Sequence, residues 1–234
     1  MGRLSDTNDA NNKVVATAEG LTSDAFHRLL DLAITGRGKL LGARTMANNQ
    51  LRQRNDQEDA IRWLSNQHIA LAGGQGFATN WGGFLLSLVT IPANMAAAAF
   101  IQARAVAAIA HLRGYELDDP RVRTAILMVM LGPRGSAALI ASGDLPSSAA
   151  AVATAPAFDP RLDSRVSRAL LEQSMNHVGG KRLGVFLAKK VPLVGGGVGA
   201  VVDGWSTRSI IQYAQEQFVS RRPRATGYVI IVEG

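Results

Sequence analysis

No cysteine occurs anywhere in the 234 residues, so disulfides and thiolate metal sites are excluded, as is a cysteine nucleophile. Aromatic residues make up only 6% of the chain, and they are not interleaved with its basic residues as a base-stacking surface would require. The N-terminal MGRLSDTNDANNK is polar and has no apolar secretory core. A cytoplasmic location is therefore the expectation. One long stretch also lacks charge: from Ile69 to Ala103 there is no Asp, Glu, Lys or Arg.

The residues that are abundant are small and apolar. Hydrophobic residues reach 47% and there are 24 glycines, with alanine plentiful, a composition that lets helices approach closely and argues for helix-on-helix packing. Lys and Arg outnumber Asp and Glu by 25 to 18, a formal net charge of +7. That balance suits an anionic lipid surface or an acidic partner. The arginines are scattered rather than gathered in one stripe, which disfavours nucleic acid. The Ala- and Arg-rich composition is of a bacterial kind.

Residues 1–20 are too poor in apolar side chains to anchor themselves and are expected to form a flexible tail. SDAFHRLLDLAI then reads as a helix capped by Ser23, with Phe26, Leu29, Leu30 and Ala33 on one face. GRGKLLGARTMANNQLRQ reads as a weaker helix. Asn55 followed by Glu58 has the spacing of a capping box for the next one. Asp119-Pro120-Arg121 and Asp159-Pro160-Arg161 each precede an apolar-periodic segment, the pattern of an N-cap followed by proline in the first turn. Asp118 adds favourable charge at the same helix start, and Arg121 or Arg123 is its expected partner. Leu145 to Ala157, rich in Pro, Ser and Ala, is expected to be a mobile loop. A short strand or an ordered tail is expected in 221–234.

The charge-free run admits three readings: buried core helices, a re-entrant or interfacial hairpin, or a membrane span. Pro92 within it suggests two helices rather than one rod. TIPANMAAAAFIQARAVAAIAHL and KVPLVGGGVGAVVDGWSTRSIIQYA share a Pro step and an apolar helix, either a duplicated hairpin or two helices that each start at proline. The glycines at 73, 76, 82 and 195–199 suit tight helix crossing; no Lys-Ser/Thr comes after them as a phosphate loop would need.

WGGFLLSLVTIPANMAAAAFIQARAVAAIA, HLRGYELDDPRVRTAILMVMLG and LAKKVPLVGGGVGAVVDGWSTRSIIQYAQEQF, in that order, resemble the EcsC protein family over roughly residues 60–218. The resemblance implies a helical fold and membrane association. It also implies a link to transport, because the namesake is encoded beside components of an ABC transport system. It carries over no catalytic residues.

Candidate sites are few. His27, His68, His111 and His177 show no zinc spacing, and no GxSxG elbow occurs; neither metal nor cofactor is expected. Asp118 and Asp119 are the weak candidates for acid–base or metal carboxylates. Arg104 and Asp203 are charges in apolar helical settings, and the two are expected either to pair across the Pro-started helices or each to reach solvent. His111, seven residues after Arg104, shares its helical face. Trp81, Phe84, Leu85, Lys189, Lys190 and Trp205 are the candidates for contact with a membrane lipid or a membrane-protein partner.

The expectation is an all-α fold: a single helical domain over 21–220 with two Gly/Pro-containing apolar hairpins and a flexible N-terminal tail. Its role is that of a membrane-peripheral or partner-binding accessory protein in transport or envelope processes. A hydrolase or lipid-modifying enzyme with a polar site between helices is the alternative.

Overall fold

Burial in this chain tracks the helical period from the first turns. The structure, a computed structural model, describes residues 24–73, 93–145, 148–188 and 195–221, with side chains at 93–95 and 175–204 left undescribed. Helix α1 (residues 24–35) buries Phe26, Leu29, Leu30 and Ala33 on the anticipated face; its expected cap, Ser23, lies outside the described residues.

A two-stranded antiparallel hairpin comes next, β1 (Gly36–Arg37) against β2 (Leu40–Leu41), where helical periodicity predicts the start of a helix. Glycine forces the difference. Gly36 has φ +74°, and a Cβ there would lie 2.2 Å from the Leu40 carbonyl oxygen. Helix α2 therefore starts only at Ala43 and runs to Arg54, burying Ala43, Ala47 and Gln50.

Asn55 is not the cap of the next helix. It ends α2 in the left-handed region, φ 56°, with its N–H donating to Leu51 O at 2.9 Å. Asp56 caps α3 (Gln57–Gly73) instead, its Oδ1 accepting from the Asp59 N–H at 2.7 Å.

Helix α4 (Ala93–Leu112) is the centre of the molecule. From Ala96 onward it is buried almost all round, and it contacts α2, α3, α5 (Pro120–Met130) and α9 (Gly195–Gln217). A helix apolar on every side is a core helix or a membrane span, and here protein surrounds it. The described end of the charge-free run is thus core; residues 74–92 lie outside the described residues.

Asp119 caps α5, with Pro120 in the first turn, and Asp159 caps α8 (Pro160–Ala188) through the N–H groups of Arg161 and Leu162. Between them, α6 (Gly132–Ala141) turns away from α5 by 107°, a bend made at Gly132 with φ +73°. The stretch expected to be a mobile loop contains α7 (Ala149–Ala153), capped by the Ser148 hydroxyl and burying Ala149, Val152 and Ala153. Helix α9 returns beside α3, its most extensive helix partner.

The result is an all-α single domain with one core. No single described helix is long and apolar enough to cross a membrane. The α5–α6 pair meets that test only jointly and is sharply bent, with α5 buried in the protein. The N-terminal tail and the C-terminal residues 222–234 lie outside the described residues.

Candidate functional site

The seam where α3, α4 and α9 meet is polar inside an otherwise apolar core. Arg104, on α4, is only 4% exposed, and His68, on α3, is fully buried. Arg104 donates its Nε–H to His68 Nε2 at 3.1 Å, and His68 Nδ1 lies 2.7 Å from the Leu64 carbonyl oxygen. These two contacts fix the tautomer: Nδ1 carries the proton and donates, leaving Nε2 as the acceptor.

Burial first, and then the Arg104 charge, pushes the His68 pKa down to about 4, so the ring is neutral at pH 7. Burial also brings Arg104 down to about 10, which still leaves it cationic. Its guanidinium stacks over the Phe100 ring, 5.2 Å from the centroid. Among the described residues, no carboxylate lies within ion-pair distance of Arg104. Two further hydrogen bonds run along the seam. Gln215 on α9 donates to the Ser65 hydroxyl at 3.0 Å, and Gln102 on α4 donates to the Thr207 hydroxyl at 3.3 Å.

Sequence reasoning found Arg104 but not its partner. The Asp203 side chain is outside the described residues, so the expected Arg104–Asp203 pairing is too, and the same holds for the side chains of Trp81, Phe84, Leu85, Lys189 and Lys190. His111 does not join Arg104: it faces α2, with Nε2 2.9 Å from Asn48 Oδ1. The missed signal was Ser65 and His68 continuing the apolar face of Ile61 and Leu64 at helical spacing.

The paired aspartates separate. Asp118 is exposed and meets Arg44 at 2.9 Å, not Arg121 or Arg123. Arg121 is taken by Asp119, through its Nε–H at 3.0 and 3.1 Å and its Nη2 at 2.5 Å, while Arg123 reaches Asp31 on α1. The Arg121 hydrogen bonds hold the Asp119 carboxyl below the usual range. Both carboxylates are thus engaged with arginine, and no group of three or more His, Asp or Glu side chains able to hold a metal occurs among the described residues.

A second polar arrangement joins α1, α5 and α8. Asp163 accepts from the Thr124 hydroxyl at 2.6 Å and lies 2.9 Å from His27 Nε2. Burial pushes the Asp163 carboxyl up, but the bonds from His27 and Thr124 outweigh it and leave it below its ordinary value. The carboxylate, not the imidazole, is the middle member. A nucleophile triad needs the imidazole in the middle to take the hydroxyl proton, so this set ties helices together rather than activating Thr124.

Beside Thr124 lies an open cleft of about 220 Å³ between α5, α7 and the start of α8. Its walls are Ala151, Val152, Ala155 and Leu162, with Phe158, 40% exposed, at the edge and Arg121 at one end.

The sequence model of the EcsC protein family matches residues 2–222, which takes in α1 to α9 and therefore both the seam and the cleft. The chain belongs to the EcsC protein family. No curated protein and no solved structure matches it. In this EcsC member, the match extends well beyond residues 60–218, over which the sequence motifs carry the likeness.

Proposed function

We propose that this EcsC-family chain is a membrane-peripheral accessory protein. It docks from the cytoplasmic side on an anionic membrane surface, in the service of transport or envelope processes, and performs no chemistry of its own. The observation that carries this reading is Trp205, 69% exposed on α9 with Arg208 exposed one turn further along the same helix. An indole is at home at the headgroup level, where its apolar ring and polar N–H are both accommodated. Each arginine close to an anionic surface adds about 1 kcal/mol, and the chain's excess of basic over acidic residues works in the same direction.

The competing reading is a hydrolase or lipid-modifying enzyme with a polar site between helices, and the Arg104–His68 seam is its main support. Both His68 ring nitrogens are committed, one to Leu64 and one to Arg104, so the ring offers no free lone pair to a substrate. The membrane reading is preferred for that reason.

The test is co-sedimentation with vesicles of phosphatidylglycerol or of phosphatidylcholine. The expected result is binding to the anionic vesicles alone, reversed by roughly 0.5 M salt through screening and weakened severalfold in Trp205→Ala and Arg208→Glu. Equal binding by wild type and both variants, or no preference for the anionic vesicles, would overturn the proposal.

A further inference from the structure

Helix α8 presents a row of arginines beside the open cleft. Leu162 turns into the cleft, and the next residue, Asp163, turns to α1 and α5, where His27 and Thr124 hold it. Arg161, Arg165 and Arg168 fall on the remaining side, spaced four and three residues apart, so they share one exposed helical face. Phe158, three residues before Arg161, is exposed at the edge of the cleft. The apolar rim and the basic row are therefore neighbours.

The acidic residues nearby are already committed. Asp159 accepts from the N–H groups of Arg161 and Leu162, and Asp163 accepts from Thr124 and meets His27. Among the described residues, neither Arg161 nor Arg165 takes part in an ion pair. Glu172, the next acid along α8, lies beyond the far end of the row. Two exposed guanidiniums one turn apart, with no carboxylate opposite, form a ledge suited to carboxylates, because the planar fork binds them through paired hydrogen bonds. The cleft adds an apolar pocket. Val152 and Leu162 form its buried floor, while Ala151, Ala157 and Phe158 stand open to solvent. At about 220 Å³ it is smaller than the ~300–1,000 Å³ sites that hold drug-sized ligands, which suits a single side chain. Its concavity also separates this face from a membrane-contact surface, where apolar side chains must project into the acyl boundary.

We propose that this face docks an acidic segment of a partner protein. One aromatic or aliphatic side chain of that segment enters the cleft against Phe158, and neighbouring carboxylates pair with Arg161 and Arg165. Aromatic and arginine side chains are the types that carry most affinity at protein interfaces, and arginine clusters are a recurrent means of recognising acidic motifs. The docking uses none of the residues on which the membrane reading rests, so the two stand or fall separately.

The test is selection of a phage-displayed library of random linear peptides on the full-length chain, at roughly 0.15 M salt. The expected result is enrichment of peptides in which one large apolar residue is flanked by carboxylates. The most enriched peptide is then synthesised and titrated by fluorescence anisotropy. Combining Arg161→Glu with Arg165→Glu should weaken its binding at least about tenfold, and Phe158→Ala about fivefold, while Trp205→Ala should leave it unchanged. All four side chains are exposed, so unaltered melting midpoints establish that the variants keep the fold. No enrichment, enrichment of peptides without acidic residues, or equal affinity in the arginine double variant would overturn the proposal. The same double variant is also sedimented with phosphatidylglycerol vesicles, where binding equal to wild type is expected. A loss as large as that caused by Trp205→Ala would assign the row to lipid and overturn the protein partner.

Discussion

Arg104 and His68 form a buried cation–imidazole pair in which the imidazole must stay neutral. The Nε–H of Arg104 points at the lone pair of His68 Nε2, 3.1 Å away. A proton on that nitrogen would set two donors against each other beside a fixed positive charge.

Acid should therefore loosen the core through one group. The unfolded chain takes up the His68 proton near the ordinary value of 6.5, the folded chain only near 4. Between those values unfolding binds a proton, so stability is complete above pH 6.5 and declines as the pH falls to about 4. The loss is on the order of 3 kcal/mol. Urea unfolding measured across pH 4 to 7 should show this slope, and His68→Gln should flatten it.

Removing one partner should cost more than removing both. His68→Leu strands a buried guanidinium and is expected to destabilise by about 3–5 kcal/mol. Adding Arg104→Met to that variant removes the stranded charge, and the double variant should recover a good part of the loss. A double-mutant cycle read by urea unfolding checks the sign.

Three glycines should rank by geometry. Gly36→Ala meets both a left-handed φ and the Leu40 carbonyl oxygen at 2.2 Å, and should be the most damaging. Gly132→Ala has φ +73° but only Ile210 Cγ1 nearby at 3.7 Å, and Gly38→Ala has φ +59° with open space. These two should cost about 1–2 kcal/mol each, the left-handed penalty alone. Midpoints of thermal unfolding give the order.

The neighbouring aspartates should behave differently. Asp119→Ala removes a helix cap together with the Arg121 carboxylate partner and should cost about 1–2 kcal/mol. Asp118→Ala loses only an exposed pair with Arg44 and should change stability by less than about 0.5 kcal/mol. Chemical denaturation of the two single variants separates them.

What the sequence disclosed and what it concealed divide along physical lines. Features fixed within one or two turns were legible: the apolar face of α1, the Asp-Pro caps of α5 and α8, and the helical nature of the alanine-rich α4. The misses came where a local rule had a close competitor. Asn55 and Asp56 are both good caps, and the left-handed ending of α2 took Asn55, which left the next helix to Asp56. The periodicity of residues 36–41 passed for helical because glycine's freedom at Gly36 leaves no mark on an apolar pattern. Leu145–Ala157 is rich in Ser and Pro, yet Ser148 caps a short helix whose alanines fit against α5. In the seam, Arg104 stood out as a charge within an alanine run. Its partner did not, because His68 meets it only through the packing of α3 against α4, a relation carried by no single segment.

The alanines of α4 have one more consequence. Where the buried face of α4 is alanine, as at Ala96, Ala97, Ala103, Ala105, Ala107, Ala108 and Ala110, the side chain ends at Cβ, so at those contacts no rotamer can change and no methylene can swing aside to absorb a shift. Displacing one neighbour must therefore displace α4, and with it the others, so the protein should melt in a single sharp step rather than shed its helices one by one.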